Sequence, residues 1–135
     1  MEHEVTVRFH QVDSAGILYF SRAFEFCHEV LEELLQASGF PLNEVLQARE
    51  WLMPIVHASS DYKKPMLLGE RIRISVLIDH VGESSLSFKY ALKGMDGDLR
   101  AEINLVHVVL DAATFQSRSV PAEFLKALRD QGVVP

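Results

Sequence analysis

The sequence predicts an α+β domain in which an antiparallel sheet wraps one long helix. Three observations predict it. An apolar stripe at helical spacing runs from Phe20 to Leu35, period-two segments separated by turn signals follow from Arg71 onward, and no repeat or linker divides the chain. At 135 residues the chain is one domain's length, enough to bury a core without disulfides or metals.

Glu4 to His10 alternates, with Val5, Val7 and Phe9 opposite Glu4, Thr6, Arg8 and His10, as a half-buried strand does. The chain then turns through Asp13-Ser14-Ala15-Gly16 into the long helix. Its predicted apolar face is Phe20, Ala23, Phe24, Cys27, Val30, Leu31, Leu34 and Leu35, against Ser21, Arg22, Glu25, Glu29, Glu32 and Glu33 on the polar side. Gly39 suits a left-handed cap, and Pro41 cannot continue a helix. Leu42 to Glu50 reads as a shorter helix anchored by Leu46 and Trp51.

Leu52 to Tyr62 is extended, Lys63-Lys64-Pro65 interrupts it, and Leu68-Gly69-Glu70 makes a turn. Two strands follow: Arg71 to Asp79, burying Ile72, Ile74, Val76 and Ile78, and Ser84 to Leu92, burying Leu86, Phe88, Tyr90 and Leu92. Asp96-Gly97 is a hairpin signal. Leu99 to Leu110 is apolar on much of both sides and is expected at the centre of the sheet. Pro121 to Arg129 reads as a closing helix held down by Val120, Phe124, Leu125 and Leu128.

Hydrophobic residues make up 48% and charged ones 24%, an ordinary globular balance with no apolar run long enough for a membrane span. The start, Met-Glu-His-Glu-Val-Thr, lacks the basic and apolar regions of a secretory signal, so a cytoplasmic protein is expected. A net charge of −6 without any basic run argues against nucleic-acid binding. Cys27, the single cysteine, cannot form an internal disulfide and is expected as a small buried hydrophobe. His28 and Glu32 are i, i+4 on the long helix, but nothing in the sequence supplies a third metal ligand. His107 is expected to be structural. No nucleophile elbow, Walker pattern or dinucleotide fingerprint occurs, so redox and phosphoryl-transfer chemistry have no residues to use.

One pattern does carry chemistry. Asp13 lies just ahead of a helix start, where the first backbone N–H groups lack carbonyl partners and carry partial positive charge. A carboxylate there can act as base or nucleophile, and the amides can hold an oxyanion. The plain alternative is that Asp13 caps a turn and Gly16 permits a left-handed one.

Asp13-x-x-Gly16-x-x-Tyr19-Phe20, preceded by Val7-Arg8-Phe9 and followed by an amphipathic helix, resembles the signature of the 4-hydroxybenzoyl-CoA thioesterase family. Met53-Pro54-Ile55-Val56-His57-Ala58-Ser59 and Ser119-Val120-Pro121-Ala122-Glu123-Phe124 fall in matching order. Within that family, Cys27-His28-Glu29 and Pro54 to Ser59 look most like the 1,4-dihydroxy-2-naphthoyl-CoA thioesterases. The resemblance implies a hotdog fold, hydrolysis of an aromatic acyl-CoA, no cofactor, and a homodimer, paired or not into a tetramer, with the site between subunits. It implies that Asp13 attacks the thioester carbonyl or activates a water, and that the Phe20 backbone N–H holds the carbonyl oxygen, leaving its side chain for the core. Gly16, Tyr19, His57 and Ser59 would line the substrate. Two other readings stay open: a hotdog protein that binds an acyl thioester or acyl-carrier protein without hydrolysing it, and a hotdog dehydratase using His57.

The resemblance also asks for cations against the CoA phosphates. The sequence offers Lys63, Lys64, Arg71, Arg73, Lys89 and Arg100, but His80-Val81-Gly82-Glu83-Ser84-Ser85 carries no Arg or Lys where the family has basic residues.

Overall fold

The structure, a computed structural model, comprises residues 1–135. Its elements run β1 (Glu2–Thr6), α1 (Arg22–Ala37), α2 (Leu42–Ala48), β2 (Trp51–Leu52), β3 (Ile55–Tyr62), β4 (Arg71–Val81), β5 (Ser85–Gly94), β6 (Leu99–Val108), β7 (Leu110–Asp111) and α3 (Ala122–Asp130). The main sheet is antiparallel and five-stranded in the order β1-β4-β5-β6-β3, and β2 and β7 form a separate ribbon. One face of the sheet packs on α1, giving the hotdog arrangement. The predicted inward residues of β4 and β5 are all buried, as are Ala101, Ile103, Leu105 and His107 of β6.

Three expectations from periodicity need correction. β1 stops at Thr6, and Phe9 is 83% exposed instead of sharing a face with Val5 and Val7. Residues Phe9–Gln11 form a single 3₁₀ turn, in which the Gln11 side chain accepts from the Arg8 amide at 2.8 Å. That local bond offers the backbone an alternative to the sheet ladder. α1 starts at Arg22, so Phe20 precedes the helix and is 56% exposed, not core. The buried face is Ala23, Phe26, Cys27, Val30, Leu31, Leu34 and Leu35, with Phe26 replacing Phe20 and Phe24 only half-buried. β6 lies inside the sheet between β5 and β3, but β5 holds the centre.

α2 ends one residue before Arg49, which takes a left-handed conformation with φ of 50°. Trp51 anchors this region as expected, against Phe40 and Phe124, while Leu46 faces outward. Cys27 is fully buried, and burial pushes its thiol far above the ordinary range, so it stays protonated and inert.

His107 is the one polar residue in the buried set. Its Nδ1 lies 2.8 Å from the Met53 carbonyl oxygen, which can only accept, so Nδ1 carries the hydrogen. Burial lowers the pKa below the usual 6.5. Below that value the unfolded chain binds a proton that the folded one refuses, so stability falls as pH drops through about 6.5. Urea unfolding from about pH 7 to about pH 5 is expected to show this loss, and His107→Phe should flatten the slope over the same window.

Candidate active site

The segment from Val12 to Leu18 is a tight hairpin pinned at both ends. Val12 bridges Leu18, and the Asp13 amide donates to the Ile17 carbonyl at 2.9 Å. Gly16 takes a φ of +77°, a conformation costly for other L-residues, and its amide donates to the Asp13 carbonyl at 3.0 Å. Asp13 Oδ1 accepts from the Ala15 amide at 2.9 Å and the Ile17 amide at 3.2 Å. The turn-forming role of this carboxylate is therefore real. It uses one oxygen only: the residue is exposed, and Oδ2 makes no hydrogen bond within the chain.

The hairpin hands the chain to α1 through Tyr19-Phe20-Ser21. Tyr19 donates its amide to the Gln11 carbonyl at 2.8 Å, and its own carbonyl accepts from the Arg22 amide at 2.9 Å. That second bond fixes the Tyr19–Phe20 peptide plane. The N–H of this plane, on Phe20, meets no acceptor in the chain, and the Ser21 amide meets none either. The Tyr62 hydroxyl, from the end of β3, donates to the Phe20 carbonyl and holds the next peptide. A fixed, unsatisfied amide at a helix start is a donor ready for an anion.

Phe20 shares a shallow depression with Ile17, Leu18, Tyr62, Lys63 and Met66. Asp13 stands outside its lining, joined to it through Ile17. The Tyr19 and Phe20 rings lie 4.9 Å apart and half exposed beside the free amide, a surface on which an aromatic group can stack. The Tyr62 contact is one that periodicity could not single out, because its partner is 42 residues away.

His57 and Ser59 are not brought to this loop. They pair with Val106 and Asn104, and residues opposite one another on an antiparallel ladder share a face, so both point away from α1. Ala58, Ser60 and Tyr62 face α1 instead. β3 is an edge strand exposed along most of its length. His28 and Glu32 sit in the wall of a cavity elsewhere along α1, and no third metal-ligating side chain gathers beside them.

Of the six candidate cations, five are engaged. Lys64 pairs with Asp98, Arg71 and Arg73 with Glu4, Lys89 with Glu102, and Arg100 with Glu70. Lys63 has no ion-pair partner and lies in the depression that contains Phe20. The cation-free turn before β5 has a neighbour that sequence spacing could not reveal: Arg118 joins Glu83 and Ser84 in one polar hollow.

A family model described as the thioesterase-like superfamily matches residues 7–128. The 1,4-dihydroxy-2-naphthoyl-CoA hydrolase of Nostoc punctiforme is 32% identical over 123 residues, covering 91% of this chain and 82% of that protein. The enzyme of the same description from Crocosphaera subtropica is 29% identical, covering 96% of each chain. A crystal structure of a 1,4-dihydroxy-2-naphthoyl-CoA thioesterase from Synechocystis superposes with a TM-score of 0.89 at 23% identity, covering 97% of this chain and 96% of that one. At that identity the superposition speaks for the fold.

Proposed function

The chain belongs to the thioesterase-like superfamily, and from that premise we propose that it hydrolyses an aromatic acyl-CoA to the free acid and CoA. The observation that carries this reading is the Phe20 amide, fixed and without an acceptor, following an exposed Asp13 that keeps one oxygen free. The relatives named as 1,4-dihydroxy-2-naphthoyl-CoA hydrolases support the aromatic class. The Tyr19–Phe20 ring pair supports it independently, being an exposed stacking surface at the donor.

In the proposed reaction the thioester carbonyl oxygen accepts from the Phe20 N–H. Asp13 Oδ2 then acts in one of two ways. It attacks the carbonyl carbon, expelling CoA thiolate and leaving a mixed anhydride that water cleaves, or it takes a proton from a water that attacks directly. Both routes consume one water and give the carboxylic acid and the thiol. Lys63 is the cation we assign to a CoA phosphate, since it alone of the six has no partner.

We assign the working form to a homodimer paired through β3. Of the two sheet edges, β1 carries Glu2, His3 and Glu4, whereas Ile55 to Ser60 of β3 carries no carboxylate, Lys or Arg. Charges blunt an edge against pairing, and an uncharged one invites it. Sedimentation at the mass of one chain would count against the dimer.

Thiol release from benzoyl-, 4-hydroxybenzoyl-, dihydroxynaphthoyl-, phenylacetyl- and short aliphatic CoA esters tests the reading. At least one aromatic ester should exceed the aliphatic set in kcat/KM. Rates that are uniform, or that favour the aliphatic esters, contradict it.

A further inference from the structure

Between β3 and β4, residues 63–70 run alongside the Asp13 hairpin with no regular secondary structure beyond a single bridge. Their middle pairs with the hairpin as a short ladder. The Leu18 amide donates to the Met66 carbonyl at 2.7 Å, Leu67 bridges Ile17, and the Leu68 amide donates to the Gly16 carbonyl at 3.0 Å. Ile17 in turn bonds Asp13 through both its amide and its carbonyl. Where residues 66–68 are held therefore sets where Asp13 stands relative to the Phe20 amide.

An ion pair from outside the segment does the holding. Arg100, in β6, donates from Nη1 to the Pro65 carbonyl at 3.0 Å and to Glu70 Oε1 at 2.9 Å, with Oε2 at 2.8 Å. Glu70 Oε1 also accepts from the Leu67 amide at 2.9 Å. The pair thus grips the segment at Pro65, Leu67 and Glu70. Exposed ion pairs contribute little, but this one is enclosed. The Arg100 side chain is 13% exposed, whereas every other Lys or Arg in an ion pair is at least 36% exposed. Removing one member of an enclosed pair leaves the other uncompensated. Gly94 leaves room for the guanidinium, since a Cβ there would come within 2.6 Å of Arg100 Nη2.

We propose that Arg100 and Glu70 are positioning residues for the hydrolysis, a strut that sets the Asp13 carboxylate against the Phe20 amide through residues 65–70. Neither side chain lines the depression at Phe20, so neither is assigned a contact with substrate. The catalytic consequence rests on the thioesterase reading. The mechanical one, that the pair pins the hairpin, does not.

Amide hydrogen exchange on the intact protein, with Arg100→Gln and Glu70→Ala, reads the mechanical consequence without turnover. In both variants the Leu18 and Leu68 amides should gain about tenfold in exchange rate over any change seen in the middle of β4 and β5. In the thiol-release assay the same variants should lose about 10- to 100-fold in kcat with KM changed less, because misplacing a reacting group by about 1 Å costs on that scale. Glu70→Gln keeps an acceptor for the Leu67 amide and for Arg100, and should restore most of both losses. Exchange that rises equally in sheet and hairpin, or not at all, overturns the proposal, and so does faster local exchange with kcat unchanged. If one variant does not fold, the other carries both readouts. Wild-type protein that hydrolyses none of the esters strikes the thioesterase reading, and exchange then still decides whether the pair pins the hairpin.

Discussion

Asp13→Asn is expected to lower kcat for thiol release from an aromatic acyl-CoA by about 100- to 10,000-fold, with KM changed far less. The substitution separates the two duties of this side chain. An amide oxygen can still accept from the Ala15 and Ile17 amides, so the hairpin keeps its bonds. The position of Oδ2 becomes an NH₂ group, which is neither a nucleophile nor a base. Wild-type thermal stability with lost turnover is therefore the expected pairing, read by circular dichroism and a thiol-release assay. Unchanged kcat would reduce Asp13 to a turn residue.

Phe124→Ala is expected to have the largest effect on stability, about 3–5 kcal/mol, read as a shift in the urea midpoint at unchanged slope. Phe124 is fully buried and, with Leu128, is one of the two residues of α3 that enter the core. Its ring lies 5.2 Å from Phe40 edge-on and 5.0 Å from Trp51, so truncation leaves two aromatic neighbours facing a void. A loss below about 1 kcal/mol would mean that α3 is held elsewhere.

The sheet was legible because period-two burial is a local property. In β4 and β5 every predicted inward residue is buried, and the Asp96-Gly97 turn joins β5 to β6 with Gly97 at φ of +87°. The long helix was legible in its middle and misread at its start. Phe20 fits an i, i+3 spacing with Ala23, yet helical hydrogen bonding begins only at Arg22, because the Tyr19 carbonyl is taken up in a turn. Phe9 failed similarly, its alternation overridden by the Gln11 side chain capturing a backbone amide. In both cases a bond absent from any periodic pattern decided the outcome.

The candidate site was half legible. The Asp13, Gly16 and Phe20 spacing marks the hairpin and the helix start through bonds between near neighbours, whereas the bonds from Leu18 to Met66 and from Leu68 to Gly16 that seat the hairpin are not visible in it. Tyr62 on the Phe20 carbonyl, the engagement of five of six candidate cations, and Arg118 beside the turn before β5 all depend on contacts distant in sequence. The side on which His57 and Ser59 emerge is fixed by the β3–β6 register and a bulge between Ile55 and His57, which the pattern of residues around them does not encode.

The reaction rests on the Phe20 amide meeting the substrate carbonyl, and amide-resolved NMR addresses that contact directly. The ligand would be an aromatic CoA analogue whose thioester sulfur is replaced by methylene, keeping the carbonyl while blocking hydrolysis. The account predicts that the Phe20 amide proton moves downfield on saturation, the largest shift in the 19–24 segment. An unmoved Phe20 amide in a protein that binds the analogue and hydrolyses the parent ester would contradict it.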